Sequence, residues 1–302
     1  MRHASPRPKR PGWWAAAAPA LLAAVVAAAV VTTSGHASAS AGANGDPNTA
    51  SLILRLDSWT STKQRPTIVL VHGAWADASS WRGELNTLQA AGFPVRAVGN
   101  PLENLTTDAE FVADFLKTIP GPIVLVGHSY GGAVITNAAT GNPNVKALVY
   151  VDAAAPAPGE TNGQLSGSDS ILAKDTPAEL FQDTTIPGAQ AGVSELYLKE
   201  DIFVRNFASD LPRPEAQELW ASQRGASQAA FNTPSKTAAW KTIPSWYFIS
   251  TGDQIITPTS ELAMAKRAHS HITVFQGGSH LTLISHPNAV TATITSAVLS
   301  VR

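Results

Sequence analysis

Short apolar runs rich in β-branched residues alternate along most of this chain with stretches that favour helices. Runs of this kind predict strands, and those at residues 67–71 and 122–126 are expected to be buried. Strands that alternate with helices favour a parallel sheet with helices packed on both faces, which is the α/β fold class. The predicted strands are residues 67–71, 94–98, 122–126, 145–151, 245–250 and 272–275, and the predicted helices are residues 80–91, 108–119, 132–139 and 259–268.

The alternation is interrupted once, by residues 153–244, which are far more than a single crossover helix requires. Residues 178–181, 194–207 and 214–222 of this stretch are predicted to be helical. We interpret the stretch as a lid inserted over the carboxyl edge of the sheet. Its apolar side chains are too numerous to remain in water, so some of them should pack against that edge; they are Leu180, Phe181, Leu196, Tyr197, Leu198, Ile202, Phe203, Phe207, Leu219 and Trp220.

The N-terminal residues 1–41 have the composition of a signal peptide. A basic start is followed by an Ala/Val/Leu-rich stretch at residues 13–31 and then by two overlapping A-x-A sites at residues 37–41. Cleavage there predicts a secreted protein with no stable membrane association. An uncleaved anchor is the alternative, because an apolar stretch of this length can just span a bilayer. Residues 42–65 then form a linker, with residues 51–56 as a candidate edge strand, and residues 66–302 form the main domain.

Charge and cysteine content narrow the classes of function. The 44% hydrophobic fraction is sufficient for a large core, and the chain has no cysteine, so an exported form would contain no disulfide. Residues 1–41 contain four of the 21 basic residues and no acidic ones, which leaves 17 basic against 22 acidic residues in the remainder. An excess of acidic residues does not provide the basic surface that nucleic-acid binding requires.

The most informative motif is Gly127-His128-Ser129-Tyr130-Gly131, which lies between a predicted strand and a predicted helix. A nucleophile elbow requires this strand–turn–helix setting. The turn is so tight that Gly127 and Gly131 have a steric reason to lack side chains. Ser129 is then the candidate nucleophile at the tip of the turn. The alternative is a glycine-rich turn capped by a serine.

Two later loops contain candidates for the other members of a hydrolytic triad, although each candidate could instead be an ordinary turn or loop residue. Asp253 follows the strand 245–250, and His280 follows the last strand. The order Ser129, Asp253, His280 is that of the α/β hydrolases and differs from the two protease orders. Asp152, at the end of the strand 145–151, is the rival for the acid position.

Two backbone N–H groups are required to bind the oxyanion of a tetrahedral intermediate. In this layout one comes from the residue after the nucleophile, Tyr130, and the other from the loop after the first strand, for which we choose Ala74. His72 in that loop is interpreted as a structural residue that orients the loop and not as the general base.

The motifs at residues 71–75, 127–132, 252–254 and 278–280 together resemble the α/β-hydrolase superfamily over about residues 66–298. The chain looks most similar to the single-domain branch that contains plant methyl-ester esterases, hydroxynitrile lyases and bacterial secreted hydrolases. The lyases of this branch have a Lys directly after the catalytic His and a Thr in the early loop, where this chain has Leu281 and Gly73. Both departures favour ester hydrolysis.

The sequence therefore predicts a secreted serine hydrolase that cleaves small-to-medium carboxylic esters through an acyl-enzyme. Its partner is a small-molecule ester, and neither a cofactor nor a metal is expected; His269 and His271 are interpreted as a solvated pair. Trp75 and Leu281 are the candidate substrate-binding residues. The alternatives are a cofactor-free lyase or haloperoxidase-like enzyme of the same fold, or a non-catalytic ligand-binding member.

Overall fold

A computed structural model describes residues 64–185 and 194–301 of the 302-residue chain. The predicted signal peptide, residues 42–63 of the predicted linker and the candidate edge strand at 51–56 lie outside the described residues. Within the described ranges, no helix combines the length and the apolar character that crossing a membrane requires.

The described strands are β1 (Thr67–Val71), β2 (Val95–Val98), β3 (Ile123–His128), β4 (Val145–Val151), β5 (Phe181–Thr185), β6 (Ser194–Leu198), β7 (Ala226–Ser227), β8 (Ser245–Ser250) and β9 (His271–Phe275). Six of them form a sheet at the centre of the described chain, in the order β2-β1-β3-β4-β8-β9, and each neighbouring pair of strands is parallel. The four central strands β1, β3, β4 and β8 are largely buried, as their apolar composition requires. This confirms the predicted fold class.

The described α-helices are α1 (Arg82–Ala90), α2 (Leu105–Lys117), α3 (Tyr130–Ala138), α4 (Ile171–Lys174), α5 (Pro177–Leu180), α6 (Glu200–Ile202), α7 (Arg213–Ala221), α8 (Gln228–Asn232), α9 (Pro258–Arg267), α10 (Thr282–Ser285) and α11 (Pro287–Ser300). Helices pack against the central sheet in two groups. One group contains α1 and α11, which contact each other, and the other contains α2 and α3, which also contact each other. Helix α2 begins three residues before the predicted start, because the Asn104 side chain accepts hydrogen bonds from the first free N–H groups, those of Thr106 and Thr107.

The segment between β4 and β8, which we call the cap, has a mixed structure. Its strands β5, β6 and β7 form a three-stranded antiparallel sheet. The helix predicted over 194–207 is therefore wrong in its first part, because residues 194–198 form β6, which is hydrogen-bonded on both sides. Helix α6 and a π-helical turn at Phe203–Phe207 follow it, and α7 lies close to the predicted helix at 214–222.

The cap also contributes side chains to the main core. Leu180, Leu198, Phe203 and Phe207 are fully buried, and the last three belong to the same apolar cluster as the central strands. The sequence predicted that some of the apolar lid side chains pack against the carboxyl edge of the sheet, and Leu198, Phe203 and Phe207 are the ones that join the core of the sheet.

Candidate active site

Ser129 occupies a strained turn between β3 and α3. Its φ of 54° and ψ of −125° lie in a region that residues other than glycine rarely adopt. The surrounding backbone fixes this conformation, because the Ser129 N–H donates to Val151 O and the Ser129 carbonyl accepts from the N–H groups of Gly132 and Ala154. The strain holds the side chain at the tip of the elbow.

The two flanking glycines are required because backbone atoms approach them closely. A Cβ at Gly127 would lie 2.5 Å from the carbonyl oxygen of Gly131, and a Cβ at Gly131 would lie 2.5 Å from the carbonyl oxygen of Val71. Contacts this short are not tolerated by any larger residue. The steric requirement predicted from the sequence is therefore present at both positions.

The structure brings Ser129, His280 and Asp253 into a continuous hydrogen-bonded relay. His280 Nε2 lies 2.7 Å from Ser129 Oγ, and His280 Nδ1 lies 2.6 Å from Asp253 Oδ2. Because a carboxylate only accepts, Nδ1 carries the proton, and Nε2 is free to accept the proton of the Ser129 hydroxyl. This is the tautomer that a general base requires.

The three side chains are almost completely removed from solvent, with exposures of 5% for Ser129, 4% for Asp253 and 0% for His280. Burial lowers the pKa of His280, so its imidazole is neutral at neutral pH. Burial raises the pKa of Asp253, and the N–H groups of Ile255 and Ile256 oppose this effect by donating to Asp253 Oδ1. These two donors also fix the carboxylate beneath His280.

Asp152, the rival for the acid position, is directed elsewhere. Its Oδ1 accepts from the Ser250 N–H at 2.8 Å and its Oδ2 accepts from the Ser250 hydroxyl at 3.0 Å. Among the described residues, no hydrogen bond joins Asp152 to His280. The geometry therefore favours Asp253 as the partner of the imidazole.

A third carboxylate, that of Glu261 on α9, lies beside these two. Oxygens of Asp152, Asp253 and Glu261 lie within 4.8 Å of one another, and this is the one group of three in the described chain with the spacing of a metal site. His269 and His271 are not part of it. Both Glu261 oxygens are buried and have no hydrogen-bond partner among the described residues. Burial raises the pKa of Glu261, and the two neighbouring carboxylates raise it further.

The early loop lies directly over the serine. A Cβ at Gly73 would be 2.5 Å from Ser129 Cβ, so only glycine permits this approach. The N–H groups of Ala74 and Tyr130 donate no hydrogen bond within the described part of the chain and so are available to an oxyanion. His72 holds the loop, since its Nδ1 donates to Gly73 O and its Nε2 accepts from the Asn100 N–H. Burial lowers the pKa of His72 to about 4.

Two further polar contacts at the elbow escaped the analysis of the sequence. His128 donates from Nε2 to the carbonyl oxygen of His280 at 2.8 Å, and so ties the elbow to the histidine loop. The Tyr130 hydroxyl donates to Asp108 Oδ2 at 2.7 Å, which anchors the first residue of α3 to α2. The sequence shows a histidine and a tyrosine on either side of Ser129, but it does not show which residues they bind, because those partners are distant in sequence.

Aromatic side chains from the cap cover the site. Trp75 stacks on Phe181 and on Phe231 and meets Phe207 edge-on. The Phe207 ring in turn lies 5.0 Å from the His280 ring. Trp75 and Leu281, the two candidate substrate-binding residues, both line a cavity of about 30 Å³ between the cap and the segments that follow β1 and His280, together with Phe203 and Phe207.

The chain also matches a family of known proteins. The model of the Alpha/beta hydrolase family matches residues 68–294, which is most of the chain. The chain belongs to the alpha/beta hydrolase family. The resemblance inferred from the motifs is thereby confirmed, and the chain is a member of a family of hydrolases that includes esterases.

The individual relatives either match only part of the chain or have low sequence identity with it. The chain is 37% identical to a carbendazim hydrolyzing esterase from a Nocardioides species over 107 residues, which are 31% of this chain and 44% of that enzyme. It is 28% identical to a pyrethroid hydrolase from Sphingobium wenxiniae over 246 residues, which are 75% of this chain and 85% of that enzyme. The crystal structure of a methylesterase from Arabidopsis superposes with a TM-score of 0.64 at 20% identity, over 78% of this chain and 99% of that chain.

Proposed function

We propose that this protein is a serine hydrolase that cleaves small-to-medium carboxylic esters through an acyl-enzyme. The observation that carries the proposal is the buried relay from Ser129 through His280 to Asp253, with its bonds of 2.7 and 2.6 Å. Membership of the family and the esterases among the relatives agree with it. The substrates in the names of these relatives belong to those enzymes and are not part of the proposal for this chain.

The first half of the reaction transfers the acyl group to Ser129. His280 Nε2 takes the hydroxyl proton while Ser129 Oγ attacks the ester carbonyl carbon, and the carbonyl oxygen becomes an oxyanion. The N–H groups of Ala74 and Tyr130 bind this oxyanion. When the intermediate collapses, the bond to the alkoxy group breaks and His280 returns its proton to the leaving alcohol.

The second half restores the enzyme. Water attacks the acyl carbon, His280 takes one of its protons, and the bond between the acyl carbon and Ser129 Oγ breaks. The serine oxygen recovers a proton from His280, and the carboxylic acid leaves. Asp253 remains a carboxylate throughout and stabilises the imidazolium that forms in each half.

The proposed size range of the substrate rests on the cap. Phe181, Phe207 and Phe231 cover Trp75, so this side of the site is apolar. A covered apolar site favours esters whose acyl or alkoxy groups are apolar and limited in length. The partner is therefore a single small molecule that enters when the cap opens.

Secretion is a separate proposal that rests on residues 1–41 of the sequence. Expression of the full-length chain in a bacterial host, followed by N-terminal sequencing of the protein in the medium, tests it. Processing after Ala39 or Ala41 is expected. A full-length chain retained in the membrane fraction would favour an uncleaved anchor.

The catalytic proposal is tested with a serine-directed phosphonate and short-chain chromogenic esters. The phosphonate should label Ser129 and abolish turnover, and Ser129→Ala should lose both labelling and activity. Ser168→Ala, which removes an exposed cap hydroxyl, is the matched control and should behave as the wild type. Labelling at another serine, or ester turnover by Ser129→Ala, would contradict the proposal.

A further inference from the structure

Asp210, in the cap between the π-helical turn and α7, binds the loop that contains His280. Its Oδ1 accepts from the Ser279 hydroxyl at 2.5 Å, and its Oδ2 accepts from the Ser285 hydroxyl at 2.6 Å. Ser279 directly precedes His280, and Ser285 is the last residue of α10. One carboxylate therefore clamps both ends of the segment 279–285, which contains His280.

The backbone of His280 is held from two directions. On the core side, His128 donates to the His280 carbonyl oxygen at 2.8 Å. On the cap side, the Ser279 hydroxyl donates to Asp210 and accepts from the Leu281 N–H at 3.1 Å, so it braces both neighbours of His280. Ser279 is fully buried, whereas the Asp210 side chain is 19% exposed.

The same cap segment touches the imidazole itself. Phe207 packs on the His280 ring at 5.0 Å, and Asp210 follows three residues later. The Ala208 N–H donates to Phe203 O and the Leu211 N–H donates to Ala208 O, which fixes the turn between the ring and the carboxylate. Movement of this segment away from the sheet would release both contacts to the histidine loop at once.

We propose that Asp210 is a positioning residue that makes the placement of His280 depend on the docking of the cap. The inference rests on the proposed function, because it assigns Asp210 a role in proton transfer by His280. With the cap docked, His280 Nε2 is held 2.7 Å from Ser129 Oγ, within the range that proton transfer requires. Without the clamp, the loop samples positions in which the relay is broken. Full activity is then reached only when the cap has closed over the substrate.

The test compares Asp210→Ala, Ser279→Ala and the double variant with Asp201→Ala, which removes an exposed cap carboxylate of the same charge from α6. Both single variants should lower kcat by about 10- to 100-fold, the range expected for slight misplacement of a catalytic group. KM should change by less than about twofold, because substrate contacts remain. The double variant should be no worse than Asp210→Ala, and Asp201→Ala should match the wild type.

A proton resonance reports the position of His280 without reference to catalysis. The Nδ1 proton between His280 and Asp253 should give a low-field NMR signal in the wild type and in Asp201→Ala, and this signal should broaden or vanish in Asp210→Ala. If Asp210→Ala does not fold, Asp210→Asn replaces it. That variant keeps one acceptor oxygen, so its kcat should lie between those of the wild type and Ser279→Ala.

Three outcomes would overturn the inference: an unchanged kcat in folded Asp210→Ala, an equal loss in Asp201→Ala, or an unchanged His280 resonance alongside a lower thermal stability. A wild-type protein that hydrolyses no ester would defeat the proposed function instead. In that case the resonance still decides whether Asp210 holds His280.

Discussion

The carboxyl edge of the central sheet and the cap both contribute to the candidate site, but they are built differently. At the sheet edge, each reactive side chain lies on the turn or loop that follows a parallel strand, and backbone N–H groups fix these loops. Asp253, for example, is anchored by the N–H groups of Ile255 and Ile256. The cap consists of short helices and a small antiparallel sheet that are attached through rings such as Phe207 and the carboxylate of Asp210. In the proposed function, the edge supplies the chemistry, and the cap supplies cover and selectivity.

The largest expected effect lies within the sheet edge, where two neighbouring aspartates have different partners. Asp253→Asn should lower kcat by roughly 10³- to 10⁴-fold, because the amide favours the wrong tautomer of His280. Asp152→Asn is the matched control and should cost far less, since Asp152 bonds to Ser250. Steady-state kinetics of the folded variants test this, and the reverse ranking would move the acid to Asp152.

The next prediction compares equal truncations in the two regions. Phe248 in β8 and Phe203 in the cap are both 1% exposed. Phe248→Ala should lower the free energy of global unfolding by about 3–5 kcal/mol. Phe203→Ala should cost less globally and should mainly speed amide exchange in α6 and α7, because the cap can open while the sheet remains folded. Urea unfolding and hydrogen exchange measure the two effects, and equal global losses would show that the cap and the sheet unfold as one unit.

A smaller effect concerns the protonation of Glu261, which lies beside Asp253 of the triad. Burial raises the pKa of Glu261, which also faces Asp152, Asp253 and the hydroxyl of Tyr247. The folded protein therefore retains a proton that the unfolded chain releases above the ordinary pKa of a glutamate. The stability from this proton is fully present below that pKa and is lost as the pH rises toward the folded-state value.

Glu261→Gln should remove this pH dependence. Between pH 5 and 8, the free energy of unfolding of the wild type should fall more steeply than that of the variant, by up to about 1.4 kcal/mol per pH unit for one proton. Urea titrations at several pH values provide the measurement. Parallel pH profiles for the two proteins would mean that Glu261 is ionised in the folded state.

The smallest effect tests the cap as the wall of the substrate site. For a series of chromogenic esters, kcat/KM should rise by about fourfold for each added CH₂ of a short acyl chain, which corresponds to about 0.8 kcal/mol. It should then fall for long chains that the covered site cannot hold. Phe207→Leu should move the optimum to longer chains, and comparing chain lengths within one variant cancels any effect on the chemical step. Efficient cleavage of long-chain emulsified lipids would argue against a covering cap.

The sequence predicted the sheet edge well because its determinants are local. A β-branched run buries a strand, and a glycine-flanked serine after such a run must form a tight turn. Parallel strands then bring the loops that follow them to the same edge. These rules place Ser129, Asp253 and His280 together without knowledge of any long-range contact, and they also predict the early loop at Ala74.

The cap shows what local patterns leave open. Residues 194–198 suit a helix by composition, but they form β6 because β5 and β7 offer hydrogen bonds on both sides. In the same way, the choice between Asp152 and Asp253 depended on which carboxylate faces the imidazole, because both aspartates follow a buried strand. Glu261 and Asp210 carry no local signal, since their partners come from other elements. The sequence by itself determined which residues line the edge, and only tertiary packing decided how they pair and what covers them, because those contacts join segments far apart in the chain.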